Sequence, residues 1–82
     1  MSDLTLYVTS WCPYCASLTE SLAERGVVWR EVDVDRDRQA AEKVKKINGG
    51  NRVVPTVEFP DGTTMTNPTG AQVVSKLNQL KV

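Results

Sequence analysis

The segment Trp11–Cys15, which reads WCPYC, holds the residues of this sequence that are best suited to chemistry. Cys12 and Cys15 are the only cysteines among the 82 residues, and a proline and a tyrosine separate them. Such a pair could bind a metal ion, form a structural disulfide or exchange thiols for disulfides. The rest of the chain has to decide between these three possibilities.

A structural role for the two cysteines is disfavoured. A tetrahedral zinc site needs four ligands, usually Cys or His, and the sequence contains no histidine, so we expect no metal. A disulfide between residues three apart closes too small a loop to stabilise the fold much. Two inert core cysteines remain an alternative, but the position after a strand and at a helix start argues against inertness.

The elements around the cysteines predict an α/β fold. Residues 4–9 alternate like a strand, and a helix follows from Cys12, with Pro13 at its first position and Gly26 as its stop. The pattern then predicts a strand at 27–35, a helix that begins at Asp35 or Asp37 and ends at NGG, a strand at 52–59, a strand at 63–66 and a helix from Asn67 or Thr69.

This order, βαβαββα, predicts one domain over residues 1–82, with a four-stranded mixed sheet and helices on both faces. The first two strands should be parallel because a helix connects them, and the last two should form a hairpin around PDG.

Cys12 is the better candidate for a nucleophile. Unpaired backbone N–H groups and the positive end of the helix dipole stabilise a thiolate at a helix N-terminus. The pKa of a thiol in such a setting falls from about 8.5 towards a range of about 3.5 to 7.5. Cys15 lies one turn further on, so we expect it to be the more buried, less activated and resolving thiol.

Composition argues against nucleic acid and membranes as partners. Ten Lys and Arg balance ten Asp and Glu, so no basic stripe is present. No apolar run approaches the roughly 20 residues of a membrane span, and the first residues do not resemble a signal peptide. We therefore expect a cytoplasmic protein, in a compartment where thiols stay reduced.

The whole chain resembles the thioredoxin fold in its glutaredoxin form, through CPYC at a helix start and VPT before a hairpin. TSWCPYC, NGGNRVVPTV and DGTTMTNPT resemble the mycoredoxins, the glutaredoxin-like proteins of actinobacteria. The resemblance implies that Cys12 and Cys15 are catalytic and that a cis Val54–Pro55 bond lies beside them, with nearby backbone free to pair with a substrate.

Three further residues near these motifs are candidates for substrate contact. Trp11 and Tyr14 flank Cys12 and could contact the carbon skeleton of a bound thiol, although aromatic side chains more often pack in a core. Arg52 could face an anionic or polyhydroxyl substrate, although a solvated loop arginine is the commoner case.

The resemblance also implies a function, the reduction of mycothiol–protein mixed disulfides with mycothiol as the electron donor. Mycothiol is a cysteinyl-glucosamine-inositol thiol that replaces glutathione in actinobacteria. By this resemblance Cys12 becomes mycothiolated, a second mycothiol frees it, and an NADPH-dependent flavoenzyme reduces the mycothiol disulfide. Cys15 is dispensable for that route but can form a Cys12–Cys15 disulfide. We expect a monomer without a bound cofactor, whose partners are mycothiol and S-mycothiolated proteins.

One departure and two alternatives bear on this expectation. Where many glutathione-using glutaredoxins have Gly-Gly before an acidic pair, this chain reads TNPTGAQ, and Pro68 offers no N–H to a glutathione carboxylate. One alternative, a redoxin that carries electrons from thioredoxin reductase to ribonucleotide reductase, lacks support because a WSGF-type C-terminal segment is missing. The other, an iron–sulfur carrier, conflicts with Pro13, since such glutaredoxins usually have a small residue there.

Overall fold

The computed structural model describes residues 4–51 and 53–80 and contains the predicted order of strands and helices. The elements are β1 (Thr5–Val8), α1 (Pro13–Glu24), β2 (Arg30–Asp33), α2 (Arg38–Ile47), β3 (Thr56–Glu58), β4 (Thr64–Thr66) and α3 (Gly70–Leu80). The βαβαββα order predicted from the sequence is confirmed. None of the described helices combines the length and the hydrophobicity of a membrane span.

The four strands form one mixed sheet in the order β2-β1-β3-β4. β1 pairs in parallel with β2, as a helical crossover requires, and in antiparallel with β3. β3 and β4 form the predicted antiparallel hairpin, in which Val57 lies opposite Met65. The loop after β1, which leads to the cysteines, therefore leaves the centre of the sheet.

Two strands are shorter than the sequence pattern predicts, and each has a local cause. β2 begins only at Arg30 because Val27 N–H donates to Leu22 O and so completes the Schellman turn that ends α1 at Gly26, whose φ is 73°. β3 begins only at Thr56, since Pro55 has no N–H to give to a strand ladder.

The helices cover both faces of the sheet, as predicted. On one face, α1 and α3 pack on the larger core, whose buried members are Leu4, Leu6, Val8, Cys12, Cys15, Leu18, Leu22, Val57, Phe59 and Val73. On the other face, α2 packs through Ala40 and Val44 against Tyr7 and Val34. Both cysteines thus belong to the larger core, which fixes their place relative to the sheet.

Side-chain caps set the starts of α2 and α3. Asp37 Oδ1 accepts a hydrogen bond from Ala40 N at 3.0 Å and so begins α2. At α3, Thr69 Oγ1 accepts from Gln72 N at 3.1 Å, while Gln72 Oε1 accepts from Thr69 N at 2.9 Å. This reciprocal pair is the predicted capping box, and it resolves the start of α3 in favour of Thr69.

Gly70 allows the first turn of α3 to lie against α1. A Cβ atom at this position would overlap the side chain of Ser21. Among the described glycines, only Gly70 has neighbouring atoms this close to its Cβ position, and it lies between two helices rather than in a turn. Close approach here brings the loop before α3 next to the helix that carries the cysteines.

The Gly70→Ala variant should lower the free energy of unfolding by about 1 to 3 kcal/mol, the usual cost of overpacking. Urea denaturation measures this change, and the exposed neighbour Ala71→Ser should stay within about 0.5 kcal/mol of the wild type. Ser21→Gly in the Gly70→Ala background should recover part of the loss. Equal stability of Gly70→Ala and the wild type would contradict the close contact.

Candidate active site

Cys12 is both the residue that follows the β1 loop and the N-cap of α1. Its Sγ accepts a hydrogen bond from Cys15 N at 3.3 Å, and its carbonyl accepts one from Ala16 N at 3.1 Å. Pro13 occupies the first helical position, where its missing N–H leaves no donor without a partner. The sulfur therefore lies at the positive end of α1, where a negative charge is favoured.

Cys15 differs from Cys12 in its surroundings, as predicted from the sequence. Both thiols are free, and Cys15 is the more buried, with 3% of its surface exposed against 6% for Cys12. Burial, the largest cause, and a hydrogen bond to Cys12 together raise the pKa of Cys15 to about 12, against the opposing effect of a backbone hydrogen bond from Thr9. Cys15 therefore stays protonated at neutral pH.

The Pro55 loop lies beside the nucleophile. The Val54–Pro55 peptide bond is cis, as the resemblance implied, and Val54 O is 3.9 Å from Cys12 Sγ, within reach of a thiol hydrogen bond. Asn67 N donates to Pro55 O at 2.8 Å, which ties this loop to the segment before α3. The structure thus brings Val54 and Pro55 to the cysteines from a distant part of the sequence.

The two aromatic residues beside Cys12 are both on the surface. Trp11 is 70% exposed and Tyr14 is 66% exposed, so neither packs in a core. Trp11 Nε1 donates to Asp35 Oδ2 at 2.8 Å, which fixes the indole near the end of β2. Trp29, in contrast, is half-buried against the larger core, in keeping with a structural role.

A cleft of about 280 Å³ lies beside Tyr14, between α1 and the segment that leads into α3. The polar lining residues carry hydroxyl or amide groups and are Tyr14, Ser17, Ser21, Asn67 and Thr69. The remaining lining residues are Leu18, Pro68 and Gly70. None of these eight side chains is charged. Arg25 is not one of the lining residues but borders them, since its Nε donates to Ser21 Oγ at 3.4 Å.

Sequence reasoning missed the α1 side of this cleft. Ser17, Leu18 and Ser21 follow Tyr14 at the spacing i+3, i+4 and i+7, which is one face of a helix. That spacing is the signal that could have found them. Arg52, the remaining candidate contact, lies outside the described residues.

Metal ligands do not cluster in the described part of the chain. Residues 4–51 and 53–80 contain no group of three or more His, Cys, Asp or Glu side chains that could hold a metal ion.

Comparison with known proteins gives consistent results. The family model described as Glutaredoxin matches residues 4–63. The chain is 50% identical over 80 residues to Mycoredoxin 1 of Corynebacterium glutamicum, which covers 98% of this chain and 99% of that protein. It is 51% identical over 74 residues to a protein of Mycobacterium tuberculosis named as a glutaredoxin, covering 90% and 88% of the two chains.

Solved structures show the same fold. The glutaredoxin from Archaeoglobus fulgidus superposes with a TM-score of 0.74 at 25% identity, covering 92% of this chain and 85% of that chain. The NrdH-redoxin from Escherichia coli gives a TM-score of 0.75 at 23% identity, covering 89% and 92%. The predicted thioredoxin/glutaredoxin fold is therefore confirmed.

Iodoacetamide should modify Cys12 well before Cys15 in the reduced protein at neutral pH. Burial favours the uncharged thiol of Cys15, so its reactive thiolate should appear only as the pH approaches about 12 or when the chain is unfolded. Mass spectrometry after timed alkylation at increasing pH measures both rates, with Cys12→Ser and Cys15→Ser as single-thiol controls. Faster modification of Cys15 in the folded protein would reverse the assignment of the two thiols.

Proposed function

Because this chain belongs to the glutaredoxin family, and within it to the mycoredoxins, we propose that it reduces mixed disulfides between proteins and mycothiol. Membership of this family gives the general activity, which is that of a glutaredoxin-like thiol-disulfide oxidoreductase. The proposed setting is the cytoplasm, where protein thiols are kept reduced. Mycothiol is both part of the substrate and the electron donor.

The first proposed step is the attack of the Cys12 thiolate on the mycothiol sulfur of a mixed disulfide. The bond between mycothiol and the client protein breaks, the client cysteine leaves as a thiolate and takes a proton, and Cys12 is now bound to mycothiol. A second mycothiol thiolate then attacks the mycothiol sulfur and releases Cys12. The product, mycothiol disulfide, is reduced elsewhere by an NADPH-dependent flavoenzyme, so that this chain needs no cofactor.

The geometry of α1 supports this route over one that uses both cysteines. The N–H of Cys15 and the positive end of the helix stabilise negative charge on Cys12 Sγ, which acts as nucleophile and then as leaving group. Burial, the largest cause of the raised pKa of Cys15, persists when Cys12 is held in a mixed disulfide, so Cys15 should have little thiolate to attack that disulfide at neutral pH. A free mycothiol, whose thiol is exposed to water, therefore resolves the intermediate.

Mycothiol is proposed as the thiol because the lining of the cleft beside Tyr14 is uncharged. Glutathione has charged groups at both ends, whereas mycothiol carries a neutral sugar and inositol whose hydroxyls pair well with Ser, Thr and Asn side chains. Pro68 is buried and has no N–H, so one backbone donor for a carboxylate is missing. The cleft therefore suits a polyol better than a peptide with free carboxylates.

No contact among the described residues specifically supports either of the two alternative functions. The similarity to the E. coli NrdH-redoxin, at 23% identity, concerns the fold alone. Pro13 lies in the first turn of α1 directly beside Cys12, where the cluster-binding alternative would need room.

Two serine variants should separate the roles of the cysteines. Cys12→Ser should abolish the reduction of mixed disulfides, because it removes the nucleophile and no second thiol lies at the start of a described helix. Cys15→Ser should retain it, and should stop with Cys12 joined to mycothiol when free mycothiol is withheld, since a second small thiol completes the cycle. Turnover with a mycothiolated protein and mass spectrometry of the trapped enzyme test this. Equal loss in both variants would require a route through a Cys12–Cys15 disulfide.

Mycothiolated substrate should be turned over roughly tenfold to a hundredfold more efficiently than the same protein glutathionylated, since one charge-assisted contact is missing for glutathione. Pro68→Gly, which restores an N–H, should narrow this ratio. Pro60→Gly is the matched control, because it makes the same exchange at an exposed turn residue that does not line the cleft, and it should leave the ratio unchanged. Equal efficiency with both substrates in the wild type would contradict the choice of mycothiol while leaving the oxidoreductase activity in place.

A further inference from the structure

Asn48, the residue that ends α2, is the centre of a chain of side-chain hydrogen bonds. Its Nδ2 donates to Val44 O at 2.9 Å and to Thr56 Oγ1 at 3.2 Å, and its Oδ1 accepts from Thr66 Oγ1. One amide thus connects the end of a helix with β3 and β4. Thr56 is fully buried, so its hydroxyl depends on these partners.

This chain of hydrogen bonds reaches both loops that face the candidate substrate. On one side, Thr56 Oγ1 donates to Val53 O at 2.8 Å, and the next carbonyl, that of Val54, lies 3.9 Å from Cys12 Sγ. On the other side, Thr66 directly precedes Asn67, which lines the cleft beside Tyr14 and donates its N–H to Pro55 O at 2.8 Å. The Pro55 loop and the cleft loop therefore share one support.

We propose that Asn48 is a positioning residue, which holds the Pro55 loop and the Asn67 loop at a fixed spacing across the mixed disulfide. The inference rests on the proposed thiol exchange at Cys12. Loops that are held before the substrate arrives lose less entropy on binding, and a small displacement of such loops lowers the rate of attack. Asn48 itself touches neither cysteine through any of these contacts.

An ordinary explanation for Asn48 is that it only caps α2. Its backbone N–H donates to Val44 O, and its side chain reaches the same carbonyl, so a capping contribution is present. That explanation does not require the contacts to Thr56 and Thr66, which lie on two strands. A test must therefore compare Asn48 with a variant that weakens α2 and leaves both strands alone.

The kinetic test uses the Cys15→Ser background, in which Cys12 reacts alone. Two second-order rate constants are measured, one for iodoacetamide, which needs no loop, and one for a peptide joined by a disulfide to mycothiol or to glutathione. Asn48→Ala should lower the rate constant with the mixed disulfide roughly tenfold, the effect of about one net hydrogen bond, and leave that with iodoacetamide nearly unchanged. Lys46→Gly, an exposed change in the last turn of α2, should alter neither.

A second measurement separates the pairings of Asn48 and does not depend on activity. Hydrogen exchange of the Asn67 amide, which is bonded to Pro55 O, should accelerate in Asn48→Ala and in Thr66→Val but not in Lys46→Gly. The double variant Asn48→Ala/Thr66→Val should be no worse than Asn48→Ala alone, because both remove the same support.

Two results separate the role of Asn48 from the proposed function. A wild-type chain that reacts with neither mixed disulfide overturns the proposed function, and the Asn67 exchange rates then still decide whether Asn48 holds the loops. A wild-type chain that reacts, with Asn48→Ala and Lys46→Gly giving the same rate constants and the same exchange, overturns the positioning role and leaves Asn48 as a helix cap.

Discussion

The hydrogen bond from Cys15 N to Cys12 Sγ is the interaction on which the arrangement of the site depends. It makes one sulfur the cap of α1 and, in the proposed reaction, the attacking atom. A nucleophile held in this way cannot move independently of the helix, so the fold must place the start of α1 correctly to within a few tenths of an ångström. The central position of β1 in the sheet and the packing of Leu18 and Leu22 into the larger core provide that placement.

The state of the Cys15 thiol is set mainly by burial rather than by charged neighbours. Cys12 and Cys15 are both buried in the larger core, and Cys12 stands between two exposed aromatic residues in the sequence. Desolvation is the largest cause of the raised pKa of Cys15, so the core that stabilises the fold also keeps this thiol unreactive. Packing and reactivity are therefore set by the same buried residues.

The sequence predicted those parts of the fold and site that local patterns determine. The helix at Cys12, the stop at Gly26 and the capping box at Thr69 each follow from residues within one or two turns, and all three are present. Val54 and Pro55 could be placed beside Cys12 only through the family resemblance, because no local pattern predicts a contact across 42 residues. The cleft and the contacts of Asn48 escaped prediction because Ser17, Ser21 and Asn48 are typical of solvated helix surfaces, and only the assembled tertiary structure gives them partners.

The two tryptophans lie in environments that differ enough to act as separate optical reporters. Trp11 stands on the surface, held by Asp35 and adjacent in sequence to the thiol that changes its bonding partner during turnover. Trp29 is half-buried against the core and far from that change along the chain. Indole emission depends on water contact, so the exposed Trp11 should emit at a longer wavelength than Trp29, whose emission should report the integrity of the core. With Trp29 replaced by phenylalanine, all remaining indole emission would come from the residue that precedes the reactive thiol, without any added dye.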